Sequence, residues 1–371
     1  MNRMLKRVFS TFGITYDKQA LTEKLKMKAW LIHEYGGIQN AQLGETRLPI
    51  IRSPTDVLVQ VHSASVNPID VLMMGGYGNT LLQMMRKGEL ELPLTVGRDF
   101  SGTILAKGLG VSDEYKIGDE VYGFVPLYKP GTFSEAVLTD SSYILPKPKH
   151  LNHVESASLV YTTMTAWSAL FVFGNMITKQ KEGLRVLILG ASGGVGTCAV
   201  QLLKSQGCEV FGTCAEDAVP LVKKLGADCV FDYKDKDYVQ KVANEGRYHI
   251  VLDGAKMGPQ NIPKEWQYDT YISLNSPLLK NTDQYGLLPG LVTSINSLIS
   301  TNLDRCQQGG RATWGFFVPS ASGFQFIHEL IVNKKIQPVI QHTFTFDKLP
   351  EALETIEKGH LRGKVVIDFK N

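Results

Sequence analysis

Paired cysteines are missing from this 371-residue chain. Its five cysteines, Cys198, Cys208, Cys214, Cys229 and Cys306, form no C-x-x-C pair. That pattern excludes a structural zinc lobe or a disulfide framework and suits a reducing compartment. An excess of one charge is missing too: 39 Lys and Arg against 36 Asp and Glu leave a net charge of +3. With no basic stripe interleaved with aromatics, the chain is not a nucleic-acid binder. Internal repeats and low-complexity tracts are absent, so no solenoid or disordered array is expected. One stretch, residues 156–178, has no charged residue, but it carries four threonines, three serines, Gly174 and Asn175. A membrane span needs about 20 predominantly apolar residues. Polarity this dense reads instead as a buried helix lying on a sheet.

What is present is a glycine-dense bend. Val186-Leu-Ile-Leu189 is a short apolar run, as in a parallel strand buried on both faces. Gly190–Gly196 follows at once, and Thr197–Lys204 then shows helical spacing of apolar residues. A strand feeding a helix through glycines is a phosphate-binding turn. Missing Cβ atoms admit a diphosphate, and the helix N-terminus offers free N–H groups. The spacing is Ala191-x-Gly193-x-x-Gly196, with alanine replacing the first glycine of the dinucleotide fingerprint. Ser192, Gly193, Gly194, Val195 and Gly196 are the expected diphosphate contacts. The second strand, Glu209–Thr213, leads into Cys214 and Ala215, where an NAD enzyme carries an acid for the ribose 2′-hydroxyl. The missing carboxylate points to NADPH as cofactor, although Glu216 lies close by. No arginine is near in sequence, which leaves Lys223, Lys224 and the phenol of Tyr233 as the expected 2′-phosphate contacts.

Residues 1–26 read as a mitochondrial presequence. Arg3, Lys6 and Arg7 alternate with Leu5, Val8, Phe9 and Phe12, and no acid precedes Asp17. Residues 27–151 hold short alternating runs at Met27–His33, Asp56–Ser63, Gly102–Ala106, Asp119–Gly123 and Ser134–Leu138. They suggest a small β-barrel-like domain. Residues 152–337 open with a long helix at His153–Phe171. Strands at Glu209–Thr213, Cys229–Asp232, His249–Asp253 and Tyr271–Leu274 then alternate with helices, the pattern of a doubly wound α/β sheet. Residues 338–371 close the chain with a strand, a helix at Pro350–Gly359 and a strand at Lys364–Phe369, expected to return to the first domain.

Val66-Asn-Pro-Ile-Asp70, Gly97-Arg-Asp-Phe-Ser-Gly102, Gly118-Asp-Glu-Val-Tyr-Gly123, Thr165-Ala-Trp167, Leu225-Gly-Ala-Asp228 and Gly359-His-Leu-Arg-Gly-Lys364 follow one another in this order. In these motifs the chain resembles the medium-chain dehydrogenase/reductase superfamily, in its zinc-free quinone oxidoreductase branch, over roughly residues 27–371. The resemblance implies a GroES-like β-barrel domain plus a Rossmann domain. It implies a mitochondrial matrix reductase tied to ubiquinone biosynthesis, with a reticulon at the outer membrane or a ubiquinone-biosynthesis protein as partner. Relatives of this kind commonly form a homodimer through an edge strand, a pairing that this sequence does not itself show. Alcohol dehydrogenases place Cys or His where Asn67 and Arg98 stand here, so no metal is expected. Without a Lewis acid, the natural chemistry is hydride delivery to an electrophilic acceptor such as a quinone. The alternatives are an enoyl thioester reductase of the same fold and a non-catalytic assembly factor that binds NADPH.

By the same resemblance, Ala215 and Tyr233 lie on the adenosine side and Leu274 on the nicotinamide side. Gly315, Phe316, Phe317, His360, Arg362 and Gly363 add further cofactor contacts; core packing competes for the two phenylalanines. Asn67 and Asp70 are expected in a turn facing the nicotinamide, with an Asx-turn before Pro68 as the structural alternative. Tyr77 matches a tyrosine that helps proton delivery in enoyl thioester reductases, and its phenol suits a developing enolate or quinol oxygen. Arg98 is expected either at a reduced oxygen or paired with Asp99 or Asp119. Residues 79–92 and 278–300 are expected to shape the acceptor pocket.

Overall fold

Valine-rich alternation builds the first half of the molecule. A computed structural model describes residues 15–16, 26–86, 90–306 and 310–369. The expected presequence lies outside them apart from residues 15–16 and Lys26. Strand β1 (Thr15–Tyr16) pairs with Ala106 and Lys107. Strands β2 (Lys26–Ile32) and β3 (Ala41–Arg47) form an antiparallel ribbon. Strands β4 (Asp56–Val66), β5 (Asp99–Lys107), β6 (Glu120–Phe124), β7 (Ala136–Asp140) and β8 (Ile144–Pro146) form the body of the first sheet. Val57, Val59 and Val61 alternate inward from β4 and are buried. Each such side chain contributes roughly 1.5–3 kcal/mol of burial.

The period then changes. Helix α3 (His153–Trp167), named after two short helices described below, starts where Asn152 Oδ1 accepts from Glu155 N–H at 2.8 Å and Glu155 Oε2 accepts from Asn152 N–H at 2.9 Å. This reciprocal cap satisfies two orphan amides. A π-helical turn, Ser168–Phe173, continues it. Together they form one helix long and apolar enough to cross a membrane by length and composition, but 78% of its most apolar window is buried inside the protein. It lies between the two sheets, against β4, β5 and β6 on one side and the phosphate-turn helix on the other.

The second sheet is wholly parallel. Its strands are β9 (Arg185–Leu189), β10 (Glu209–Cys214), β11 (Cys229–Asp232), β12 (Tyr248–Asp253), β13 (Tyr268–Ser273) and β14 (Arg311–Trp314), in the order β11-β10-β9-β12-β13-β14. The strand order reverses between β9 and β12, which opens a crevice at their carboxyl ends where ligands of doubly wound sheets bind. Strands β15 (Ile340–Thr345) and β16 (Lys364–Asp368) leave this sheet and join the first one, β16 pairing antiparallel with β4.

Several segments differ from expectation. Pro68–Met74 is helix α1 rather than a turn, and Asn79–Met85, expected as loop, is helix α2. Leu278–Tyr285 (α7) and Leu287–Cys306 (α8) are helices as well. Helices α1 and α2 are too short to show an apolar period. The remaining helices are α4 (Gly194–Ser205), α5 (Val219–Lys224), α6 (Tyr238–Asn244), α9 (Ala321–Val332) and α10 (Leu349–Lys358).

Candidate active site

The glycine bend joins β9 to α4. Gly190 has φ 81°, and the N–H groups of Gly190 and Ala191 both donate to Thr213 O at 3.1 and 2.9 Å. This fixes the bend to the adjacent strand β10. A Cβ at Gly196 would stand 2.3 Å from Gly190 O, so only glycine fits there. Gly193, at the helix N-cap, offers no side chain to the first turn. Gly193, Gly194 and Val195 are half-buried, while Ser192 and Gly196 are buried. A glycine-rich bend with few side chains at a helix N-terminus fits a dinucleotide diphosphate.

The C-terminal return crosses this bend. Gly363 N–H donates to Ser192 O at 2.9 Å, and Gly193 and Gly363 form an isolated parallel bridge. Gly359, His360 and Gly363 all have positive φ, at 71°, 54° and 93°. At Gly363 a Cβ would meet Val339 O at 2.2 Å. The tight path carries Arg362 to the end of β10. Its Nη2 and Nε donate to Asp217 at 2.9 and 3.1 Å, and its Nη1 donates to His360 O at 3.0 Å. Ala215 is buried there, Tyr233 is exposed, and Tyr233 N–H donates to Cys214 O at 3.1 Å. No arginine lies near this corner in sequence, and Arg362, 145 residues from Asp217, reaches it from the C-terminal return. Lys223 and Lys224 lie in the last turn of α5.

On the other side of the crevice, Leu274 N–H donates to Asp253 O at 3.1 Å and Gly315 N–H donates to Ser273 O at 2.9 Å. Phe316 meets Phe173 edge-on at 5.7 Å. Phe317 stacks flat on Tyr161 at 4.5 Å and meets Phe124 edge-on at 5.1 Å. Both phenylalanines pack against these rings and are half-buried.

Asn67 and Asp70 depart most from expectation. Both are buried to within 1%. Asp70 accepts from Asn67 N–H at 2.8 Å and Gly97 N–H at 3.0 Å, and lies 3.9 Å from Arg98 Nε. Asn67 Oδ1 accepts from Lys364 Nζ at 2.7 Å, and its Nδ2 lies 3.4 Å from Ser65 O and Asp99 Oδ1. Neither side chain is left to touch nicotinamide or acceptor; they position the start of α1. The two terminal nitrogens of Arg98 donate to Pro126 O, Lys129 O and Thr95 O, its Nε makes no hydrogen bond, and it pairs with neither Asp99 nor Asp119.

These contacts form a buried network of two acids and two bases. Asp99 accepts from Ser65 Oγ and N–H and from Tyr161 N–H, and Lys364 also donates to Val66 O at 2.9 Å. Burial pushes the Asp99 carboxyl up, and the Lys364 charge opposes it. Burial pushes Lys364 down, and the charges of Asp99 and Asp70 oppose that. Asp70 is pushed up to about 6 by burial, against the pull of Arg98. Sequence reasoning missed Lys364 and Tyr161. The signals for Lys364 were its place at the end of the Gly359–Lys364 motif and a lysine opening a mostly apolar strand.

Tyr77, in the turn between α1 and α2, is half-buried. Its hydroxyl lies 3.5 Å from Ser276 O, just beyond β13, so it spans the crevice between the two sheets. Burial raises its pKa, and the nearby Asp283 carboxylate adds to this. Asp283 of α7 accepts from Gly78 N–H at 2.6 Å and Thr80 N–H at 3.0 Å, so it caps α2 from the opposite domain. Helices α2 and α7 thus meet at the mouth of the crevice.

The positions held by Asn67 and Arg98 offer no soft or imidazole ligand. Among the described residues, no group of three or more His, Cys, Asp or Glu side chains could hold a metal ion.

Residues 53–149 match the alcohol dehydrogenase GroES-like domain, and residues 225–367 match the zinc-binding dehydrogenase family. The human protein named NAD(P)H oxidoreductase RTN4IP1, mitochondrial, is 43% identical over 356 residues, covering 92% of this chain and 89% of that protein. A Caenorhabditis elegans relative named reticulon-4-interacting protein 1, mitochondrial, is 35% identical, covering 99% of this chain and 98% of that one. The solved structure of the quinone oxidoreductase from Coxiella burnetii is similar at TM-score 0.74 and 25% identity, covering 93% of this chain and 100% of that one. With a GroES-like domain, a doubly wound nucleotide domain and this degree of identity, the chain belongs to the medium-chain dehydrogenase/reductase superfamily and, within it, to the NAD(P)H oxidoreductase family of the mitochondrial RTN4IP1 proteins.

Proposed function

We propose that this NAD(P)H oxidoreductase uses NADPH to reduce a quinone or quinone-like acceptor without a metal, in the mitochondrial matrix and in support of ubiquinone biosynthesis. The observation that carries the NADPH choice is Arg362, held beside Cys214 and Asp217 where the second strand of the nucleotide fold ends. A 2′-phosphate there meets a guanidinium that binds phosphate in a fork, and it displaces Asp217 as partner.

The chain's own residues divide the work. The amides of Gly193, Gly194 and Val195 hold the diphosphate. Leu274, Gly315, Phe316 and Phe317 border the nicotinamide. Bound NADPH supplies the hydride. Tyr77, protonated at neutral pH, donates a hydrogen bond to the oxygen that gains charge. The network of Asp70, Arg98, Asp99 and Lys364 keeps the two domains in register, so the rate comes from proximity and oxyanion stabilisation. The Coxiella burnetii structure is of a quinone oxidoreductase, which favours a quinone as acceptor. The C. elegans relative's name favours a reticulon as protein partner, alongside a ubiquinone-biosynthesis protein.

The test is a fluorescence titration with NADPH and NADH, followed by an acceptor panel of short-chain quinones and trans-2-enoyl thioesters. Tighter NADPH binding and quinone turnover are expected. Faster turnover of the thioester would replace the reading with enoyl reduction. Retention of the biological role by Gly194→Asp, which blocks the diphosphate turn, would make the protein an assembly factor. Protease protection in isolated mitochondria checks the matrix location.

A further inference from the structure

The fully buried tyrosines of this chain spend their hydroxyls on protein partners. Tyr122 Oη hydrogen-bonds His328 Nδ1 at 3.0 Å, Tyr248 donates to Val242 O at 2.8 Å, and Tyr271 donates to Asp253 Oδ2 at 2.6 Å. A buried phenol ordinarily finds such a partner. Tyr161 of α3 differs. It is half-buried, so it stays partly open to water. Among the described residues, its hydroxyl has no hydrogen-bond partner.

Both halves of the molecule hold this side chain. Tyr161 N–H donates to Asp99 Oδ2 of β5 at 3.1 Å, and the Tyr161 ring lies flat on Phe317, just beyond β14, at 4.5 Å and 4°. Anchored at its backbone and stacked along its face, the phenol is fixed before any ligand arrives. Donors fixed in this way stabilise charge that develops during a reaction. Burial pushes the phenol up, the Asp70 charge adds to this, and Arg98 opposes it. The hydroxyl therefore keeps its proton at neutral pH. Tyr77, which spans the crevice, is near enough to raise it further. A tyrosine that served only to pack on Phe317 would need no hydroxyl.

We propose that Tyr161 is a second catalytic phenol, which with Tyr77 forms a two-donor oxyanion hole for the acceptor. The inference rests on the reading of this crevice as the acceptor site. The acceptor takes two electrons as hydride: one C–H bond forms, and a conjugated π pair moves onto the acceptor oxygen. NADPH is oxidised to NADP+, and a solvent proton neutralises the oxygen. An oxygen carrying that charge has more than one lone pair to satisfy, and away from water each one left unpaired is costly. Tyr77 supplies one donor and Tyr161 the other, so neither phenol has to give up its proton. The hole suits a flat acceptor whose charge collects on oxygen.

The probe is 4-nitrophenol, titrated into the full chain with NADP+ bound, because its absorbance separates phenolate from neutral phenol. The parent should bind the anion in preference. Tyr161→Phe keeps the ring on Phe317 and should lose about 10- to 100-fold in anion affinity, the scale of one hydrogen bond to a charge. Its affinities for the neutral phenol and for NADPH should hold. Tyr77→Phe should lose a similar amount, and the double variant more than either. Single-turnover reduction of a short-chain quinone by Tyr161→Phe should slow about 10²-fold. Unchanged anion affinity or an unchanged single-turnover rate in Tyr161→Phe overturns the proposal. A parent that prefers the neutral phenol overturns it too, as does an equal loss for both forms, which would make Tyr161 a packing residue. A parent that reduces no quinone but shows the anion effect keeps Tyr161 as a donor and removes the quinone reading instead.

Discussion

Lys364 Nζ donates to Asn67 Oδ1 at 2.7 Å, and the residue before it, Gly363, donates its N–H to Ser192 O at 2.9 Å. The first residue of β16 and the glycine before it thereby fasten the glycine bend of one sheet to the start of α1 in the other. Removing the lysine head leaves Val66 O and Asn67 Oδ1 without their donor and the Asp99 carboxylate without its nearest cation. Lys364→Met should lower unfolding free energy by about 2–4 kcal/mol, since an orphaned buried charge keeps its desolvation penalty. Urea unfolding measures it; a loss under 1 kcal/mol would show that the network contributes little.

Asp70 should give stability an unusual pH dependence. Its carboxyl is pushed up to about 6 in the fold, against about 4 in the unfolded chain. Between those values the folded state holds a proton that the unfolded state has released. Stability from this group is therefore present at the acid end and falls as pH rises through the window, by at most about 1.4 kcal/mol per pH unit. Relative to Asp70→Asn, the parent should lose stability from about pH 4 to 6 and run parallel above it. Comparing the two chains cancels the opposite slope of Glu120, Asp140 and Asp228, whose pKa values are lowered.

Arg362 should discriminate between cofactors. In Arg362→Ala the guanidinium that Asp217 holds at the end of β10 is gone. KM for NADPH should rise about 10- to 100-fold, the scale of one charge-assisted fork, with KM for NADH nearly unchanged. An equal rise for both cofactors would place the 2′-phosphate elsewhere.

Tyr77 should act on turnover rather than on cofactor affinity. Its hydroxyl lies across the crevice, 3.5 Å from Ser276 O. Tyr77→Phe should reduce kcat by about 10²-fold if the phenol assists proton delivery, with the NADPH Kd preserved. An unchanged kcat would make Tyr77 part of the crevice wall only.

Asp283 should affect the acceptor side. It takes the N–H groups of Gly78 and Thr80 from the other domain. Asp283→Ala should cost about 1 kcal/mol as a lost helix cap and should raise acceptor KM while leaving cofactor KM in place. Steady-state kinetics with the two substrates varied in turn separates these effects.

The bend at Gly190–Gly196 was legible because its chemistry is local: an apolar strand, a glycine-dense turn and an amphipathic helix in one continuous stretch. The parallel strands were legible for the same reason, each being a short apolar run. Helices α1 and α2 were not, since seven residues hold too few apolar positions to show a period. The roles of Asn67 and Arg98 were not legible either. Their motifs mark them as important, but whether an amide faces a cleft or a buried lysine depends on a strand nearly 300 residues later.

The sequence by itself determined the nucleotide fold, the glycine bend and the lack of a ligand set at Asn67 and Arg98, because each rests on neighbouring residues and on residue type alone. Only the tertiary structure decided which side chains remain free to act. The return of β16 carries Arg362 to Asp217 and Lys364 to Asn67, and a charge or amide brought into contact with a distant partner is spent on that partner, which no local spacing records.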